Sequence, residues 1–531
     1  MKKKLVCSIR VILFCLFLII LWTGILNILK KPKVSTWDHQ GLTQIYKNPN
    51  YYDVIFLGTS MAVTNFSNQI LYSDYGVAGI SLGEPEQMTY LSYYTLEEAL
   101  KYQKPEAVVF DIQSLYYTNE QQKEKIKVNE DYQVHYSLDE MHNNQTKYNA
   151  VKQTIEFNED SNYWNYFSNM YYRHSNWESV EKDNFVKPNY PYMILGNSIL
   201  FDTSDVWGEI ERTNKKSDTK ETIKLPNINM EYLDKMVALC KKKDIPLILT
   251  RSAGNPNWSY AVYNYMCSYA DKNDVLYIDL GYVADDIGID WQTDINDGGN
   301  SNGGHLNLNG TVKWTRYIMD CLKEKYDFVD RREDKLYDSL KKGEDHYNEY
   351  QKAMQDKIFL LKGTNINTYL SALKEVLDDD NVAIISVRDE ASTQISDETL
   401  MKMEQLGLEA DLKDKYRYSY LALIENRSVV MENTEHTTLD YQGNLDNGRS
   451  ITLSSSGYDL DDNASIIIDG VEYCQNGRGI NVVVYNKKID QVISSVYFDT
   501  YEEIESPTLR IVNGIEQAET NVNVWKIRKE N

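Results

Sequence analysis

Residues 52–60 read YDVIFLGTS, and the reading of that stretch decides the fold. Tyr52 to Leu57, which ends in four apolar residues in a row, reads as a buried strand. Gly58-Thr59-Ser60 then turns the chain into a helix start. A buried strand that runs straight into a turn and a helix opens a layered α/β unit. It also puts the Ser60 hydroxyl where backbone amides converge and can stabilise a developing oxyanion.

The alternation continues on the C-terminal side. A glycine-containing turn at 75–81 leads to a helical stretch at 87–102 and a second apolar strand, AVVFDI, at 107–112. Helix and strand alternate again at 236–243, 246–250, 260–273 and 275–280. A parallel sheet covered by helices is therefore expected over 35–326. The polar, Tyr- and Asn-rich segment 118–225 breaks the pattern and reads as an insertion over one end of the sheet.

The run Gly303-Gly304-His305-Leu306-Asn307-Leu308-Asn309-Gly310 precedes a helix expected at 311–322. A loop histidine is ordinarily a surface residue. A serine nucleophile, however, needs a base within hydrogen-bond reach, and the base needs an orienting acceptor. His305 is the candidate base for Ser60.

Taken in order, Val54-Ile55-Phe56-Leu57-Gly58-Thr59-Ser60, Tyr75-Gly76-Val77-Ala78-Gly79 and His305-Leu306-Asn307 through Gly310 resemble the SGNH hydrolase superfamily. Lys104-Pro105, Tyr172-Arg173-His174-Ser175-Asn176-Trp177 and Asp290-Trp291 look like its DltD-related branch, associated with surface polymers. The resemblance covers roughly 50–325. It implies a three-layer α/β fold, Ser60 as nucleophile, His305 as proton shuttle and the Gly79 amide as an oxyanion donor. The family's acid lies three residues before the histidine, where this chain has Asn302. Asp297 is the acid expected to loop back in its place, with Asn302 the alternative. The family's further oxyanion donor, an Asn, is replaced by Gln113, which can donate only if it points inward.

A charged helix or linker is expected over 327–360, and the pattern then restarts. Helices are expected at 367–377 and 397–406, with strands at 382–387, 420–424, 450–454, 464–468, 480–485 and 492–498. Asp389-Glu390-Ala391-Ser392, Arg417-Tyr418-Ser419-Tyr420, Arg478-Gly479-Ile480-Asn481 and Phe498-Asp499-Thr500 resemble the ILEI/PANDER domain in circularly permuted order. Domain 361–531 is thus expected to be a smaller α/β unit. The resemblance implies sugar binding through Asp389, Arg417 and Arg478, with Tyr420 where the family has Trp. The competing reading is a buried Arg478–Asp389 salt link that holds the two halves together.

At the N-terminus, 11–29 is an apolar run flanked by lysines, long enough to span a bilayer. Bulky Phe14 argues against a lipoprotein site at Cys15. Residues 1–34 are therefore expected to be a cytoplasmic tip and an uncleaved transmembrane helix, with the bulk of the chain outside the cell. The formal charge of −23 over 531 residues argues against nucleic-acid binding. Of six scattered cysteines, Cys240, Cys267, Cys321 and Cys474 show no metal-ligand spacing, and Cys240, Cys267 and Cys321 read as buried thiols rather than a disulfide framework, with no metal or cofactor expected. The function expected is an extracellular serine esterase or O-acyltransferase acting on a cell-surface polysaccharide. The alternative is an inactive SGNH-fold scaffold that binds glycan or a membrane-bound acyltransferase.

Overall fold

The computed structural model describes residues 2–29, 41–128, 132–158, 162–167, 177–178, 180, 193–194, 197–201, 203, 220–252, 259–291, 293–296 and 305–501. The chain divides into two compact units, the first ending at Glu344 and the second beginning at Asp345.

The first unit holds strands β1 (Val54–Leu57), β2 (Gly79–Ser81), β3 (Ala107–Asp111), β4 (Met193–Ile194), β5 (Asn197–Ser198), β6 (Leu247–Arg251), β7 (Leu276–Asp279), β8 (Ile295–Asn296) and β9 (His305–Leu306). Five of them form one sheet in the order β2-β1-β3-β6-β7, every pair parallel. This order reverses its winding between β1 and β3, which opens a crevice at the carboxyl ends of those strands.

The apolar runs explain the layering, because successive residues of a strand face opposite sides. Ile55, Leu57, Val108, Phe110, Leu247 and Leu249 share a core with the helices Thr89–Ala99, Gln145–Phe157 and Asn227–Lys243. On the other face Phe56 stacks on Phe66 at 4.5 Å, and Phe66 lies 6.4 Å from Trp314 of the helix Leu308–Lys323. Ile55, Phe56 and Leu57 are at most 1% exposed. Burial of each contributes roughly 1.5–3 kcal/mol.

Three expectations about this unit are corrected. The described part of 118–225 does not merely overlie one end of the sheet. Leu138, Met141, Ala150, Val151 and Phe157 enter the main core, and Tyr90 Oη lies 2.9 Å from Thr154 Oγ1. Nor is 327–344 a free linker. Arg331 donates to Asp53 at 2.7 Å, Tyr337 Oη donates to the Tyr51 carbonyl, and Leu340 is buried. The rest of the expected linker lies in the helix Glu344–Leu361, where Asp356 accepts from Asn381 of the second unit. Finally, the helix after His305 starts at Leu308, because the Asn307 side chain caps it by accepting from the Asn309 and Gly310 amides.

The second unit holds β10 (Asn381–Asp389), β11 (Ser419–Glu425), β12 (Ser428–Glu435), β13 (Leu439–Asn444), β14 (Ser450–Gly457), β15 (Ala464–Ile468), β16 (Val471–Glu472), β17 (Gly479–Asn486) and β18 (Gln491–Phe498). Strands β12, β11, β10, β17 and β18 pair antiparallel in that order, and β13–β16 pair antiparallel beside them. The one parallel contact joins Arg388 and Asp389 of β10 to Ser456 and Gly457 of β14. The unit is thus mostly antiparallel β rather than evenly α/β. Val382, Ile384, Leu421, Leu423, Leu453, Ile466 and Val483 form its core. The helix Ile366–Val376 is fastened by Tyr369, whose hydroxyl lies 2.8 Å from Ser494 Oγ.

Lys2–Leu29 is one helix of 28 residues, and its apolar side chains from Ile9 to Ile25 are exposed. Among the described residues no helix is long and apolar enough to cross a membrane. Cys15, Cys240, Cys267, Cys321 and Cys474 are free thiols.

Candidate active site

Strand β1 delivers Gly58-Thr59-Ser60 to the crevice. Gly58 has φ +140, a region that glycine tolerates, and a Cβ there would stand 3.0 Å from the Asp111 backbone oxygen. Thr59 caps the helix Ser60–Thr64. The hairpin of β8 and β9, which pairs Asn296 with His305, brings in the base. Although 245 residues separate them in the chain, His305 Nε2 lies 2.8 Å from Ser60 Oγ. That is direct hydrogen-bond reach.

His305 keeps some accessible surface as a residue, but its ring is desolvated, and burial pushes its pKa down to about 4. The imidazole is therefore neutral at pH 7, the form able to take a proton from Ser60. Asp297 and Asn302, the two residues expected to orient it, lie outside the described residues.

The structure does not bring Gly79 to this pair. Gly79 sits opposite Val54, at the amino end of β1, where a Cβ would meet Asn68 Oδ1 at 2.3 Å. The glycine beside the nucleophile is Gly83. A Cβ on it would stand 2.9 Å from the Gly58 oxygen and 3.0 Å from the Thr59 oxygen. Gly83 is buried, and neither its N–H nor that of Ser60 has an acceptor among the described residues. The Ser60 and Gly83 N–H groups are thus both unengaged, and unengaged backbone donors are what an oxyanion hole is built from. The signal for Gly83 is its place just past the carboxyl end of β2, level with Gly58.

Gln113 points inward. Its amide N–H is held by Asp111 Oδ1 at 3.1 Å, and Thr59 Oγ1 lies 3.1 Å from Gln113 Oε1. Thr59 Oγ1 accepts from the Met61 amide and donates to the Gln113 carbonyl, which leaves Gln113 Nε2 as a donor. Asp111 is itself fixed by Ser252, whose amide and hydroxyl both donate to Oδ2.

Further supports carry no motif. Asn197 of β5 accepts from the Asn68 amide and donates to the Ala62 and Val63 carbonyls, so the insertion is stapled to the nucleophile's helix. Asp294, fully buried, accepts from Lys313 at 2.7 Å and from Asn309, and so braces the turn after His305.

In the second unit Asp389, Arg417 and Arg478 gather at one end of the sheet but do not pair with one another. Arg478 donates to Asp499 from Nε at 2.9 Å and Nη2 at 2.6 Å, which replaces the expected Arg478–Asp389 link. Arg417 pairs with Asp459 at 2.6 Å, and its guanidinium lies 4.4 Å from the Tyr458 ring centre and 4.9 Å from that of Tyr416. Asp389 has a left-handed backbone at φ 63. Burial, then neighbouring Asp462, push its carboxyl above the usual range against the pull of Arg478, Arg417 and Arg388. Its carboxylate has no hydrogen bond among the described residues. Tyr420 is buried, with its hydroxyl on Glu432 at 2.7 Å, so it presents no aromatic face to a ligand. Glu390 is also buried. It accepts from the Ser392, Thr393 and Arg417 amides and from the Ser392 hydroxyl, which holds the Asp389 turn in shape.

No family model and no curated protein matches this chain. A solved structure from Bacteroides fragilis, named as a candidate acylhydrolase, aligns over 53% of this chain and 93% of its own at 12% identity, with a TM-score of 0.25. A likeness that low carries no argument about fold or reaction.

Proposed function

We propose that the first unit is an SGNH-type serine esterase or O-acyltransferase that acts on ester-linked acyl groups of a cell-surface polysaccharide. The observation that carries this reading is the 2.8 Å contact between Ser60 Oγ and His305 Nε2 at the β1–β3 crevice. In the first half-reaction Ser60 Oγ bonds to the acyl carbonyl carbon while its proton passes to His305 Nε2. The tetrahedral oxyanion would be held by the Ser60 and Gly83 amides and by Gln113 Nε2. Collapse breaks the bond to the leaving alcohol, which takes the proton from His305, and the acyl group remains on Ser60. Water or an acceptor hydroxyl then attacks in the mirror step, giving hydrolysis or transfer.

The unengaged Asp389 carboxylate, with Tyr416 and Tyr458 exposed nearby, supports a sugar-binding role for the second unit. Aromatic faces and carboxylates suit the apolar faces and hydroxyls of a sugar. The exposed apolar helix Lys2–Leu29 supports an anchored, outward-facing chain, and a membrane-bound acyltransferase is the partner that would supply acyl groups for transfer. One observation favours the scaffold reading: a histidine held near pKa 4 is a weak base. Incubation of the whole chain with a chromogenic acetyl ester decides between the two. The enzyme reading expects turnover and one acetyl group on Ser60 in a trapped acyl-enzyme. A wild-type protein with neither turnover nor acylation overturns it.

A further inference from the structure

Nucleophile and base come from segments far apart in the sequence, so something has to hold one against the other. Asn65 ends the helix that Ser60 begins, and its side chain is fully buried. Its Oδ1 accepts from the Leu306 amide at 2.9 Å, one peptide away from His305. Because that amide is a donor, the atom facing it has to be the carbonyl oxygen, which fixes the orientation of the side chain. Thr64 Oγ1 lies 2.8 Å from the same oxygen, and Asn65 Nδ2 rests on Met61 Sδ at 3.2 Å. A second clasp lies alongside, where Thr311 Oγ1 donates to the Thr64 carbonyl at 2.8 Å. Both clasps join the Ser60 helix to the segment that carries His305. Of the two, the Asn65 bond reaches the residue next to the base.

We propose that Asn65 is the positioning residue of this site, a clamp that sets the His305 ring against the Ser60 hydroxyl by holding the Leu306 amide. Asn65 touches no reacting atom and acts through the backbone of β9. The inference rests on the proposed esterase or transferase reading.

Two substitutions in the whole chain test it. Asn65→Leu fills the site but removes the acceptor, and a misplacement on the order of 1 Å costs about 100-fold in turnover. The clamp expects kcat to fall about 100-fold with KM held. Asn65→Asp keeps an acceptor for Leu306 and places a buried carboxylate one peptide from His305. It should recover most of kcat and move the acid limb of the pH profile upward, because a nearby negative charge favours imidazolium. Merely weakened packing would not restore turnover or shift that limb. An unchanged kcat in a folded Asn65→Leu protein overturns the clamp, as does an Asn65→Asp protein with an unmoved acid limb. Should Asn65→Leu fail to fold, Asn65→Asp alone decides. Titration of His305 by NMR needs no turnover and so separates the two failures. A wild type without activity whose His305 still shifts in Asn65→Asp defeats the functional reading and leaves the clamp standing. A wild type that turns over, with neither variant altered, defeats the clamp alone.

Discussion

Ser60 and His305 come from opposite ends of the first unit and meet at 2.8 Å, whereas Asp389, Arg417 and Arg478 share one end of a smaller unit and do not bond to each other. The difference lies in topology and charge. A parallel sheet wound as β2-β1-β3-β6-β7 sends every strand's carboxyl end to the same edge, where Ser60 follows β1, and the β8–β9 pair carries His305 to it. There a hydroxyl and a neutral imidazole meet within hydrogen-bond reach. In the second unit each arginine has an acid close by, Asp459 or Asp499, and that local pairing wins. A motif can tell which residues are neighbours; the surrounding charges decide which of them bond.

The sharpest way to break this comparison is to remove the dyad. Ser60→Ala should bring ester turnover to background, and His305→Ala should lower kcat by about 10²–10⁴, the worth of a general base. Steady-state rates on the acetyl ester read both, and a Ser60→Ala protein as fast as wild type would show the activity to lie elsewhere. Next in size, Gln113→Leu removes a side-chain donor but leaves the dyad, so kcat should fall about 10²–10³-fold with little change in KM. A loss of less than tenfold would mean that Nε2 does not reach the oxyanion.

Neighbouring acids sharpen the other half of the comparison. Glu390→Ala leaves the part-buried amides of Ser392, Thr393 and Arg417 without their acceptor, and water can reach them in its place, so the cost is about 1–3 kcal/mol in all. Chemical denaturation should show a loss of that size. Asp389→Asn, by contrast, removes a charge that makes no hydrogen bond and keeps a residue type that tolerates a left-handed backbone. Its stability should stay within about 0.5 kcal/mol of wild type, while pull-down by the cell-wall polysaccharide is lost. A large stability loss in Asp389→Asn would make it a structural residue like Glu390.

How legible each part was in the sequence follows from burial. Strands β1, β3 and β6 are buried on both faces, so unbroken apolar runs announced them. Strands β12 and β13, SVVMENTE and LDYQGN, alternate between half-exposed and exposed positions and offered no such run. Ser60, His305 and Gln113 stand beside strand ends or capped helices, where turn chemistry is readable. The resemblance of Tyr75-Gly76-Val77-Ala78-Gly79 to a family block implied Gly79 as the donor, but Gly79 begins β2. The carboxyl end of that strand, the end that matters, arrives at Leu82-Gly83. The bonds of Asn65, Asn197 and Asp294 that hold distant segments together reach far along the chain, and no local pattern marks them.

The central claim is that Ser60 is a nucleophile activated by a neutral His305, and covalent labelling of Ser60 by a fluorophosphonate across pH tests it most directly. Burial holds His305 near pKa 4, below its ordinary value, so the base form dominates above that pH and is protonated below it. The expected result is a single label on Ser60, at a rate that is flat from about pH 5 upward, falls about tenfold per unit below pH 4, and is lost in His305→Ala. An unlabelled Ser60, or labelling that ignores both pH and His305→Ala, would contradict the account.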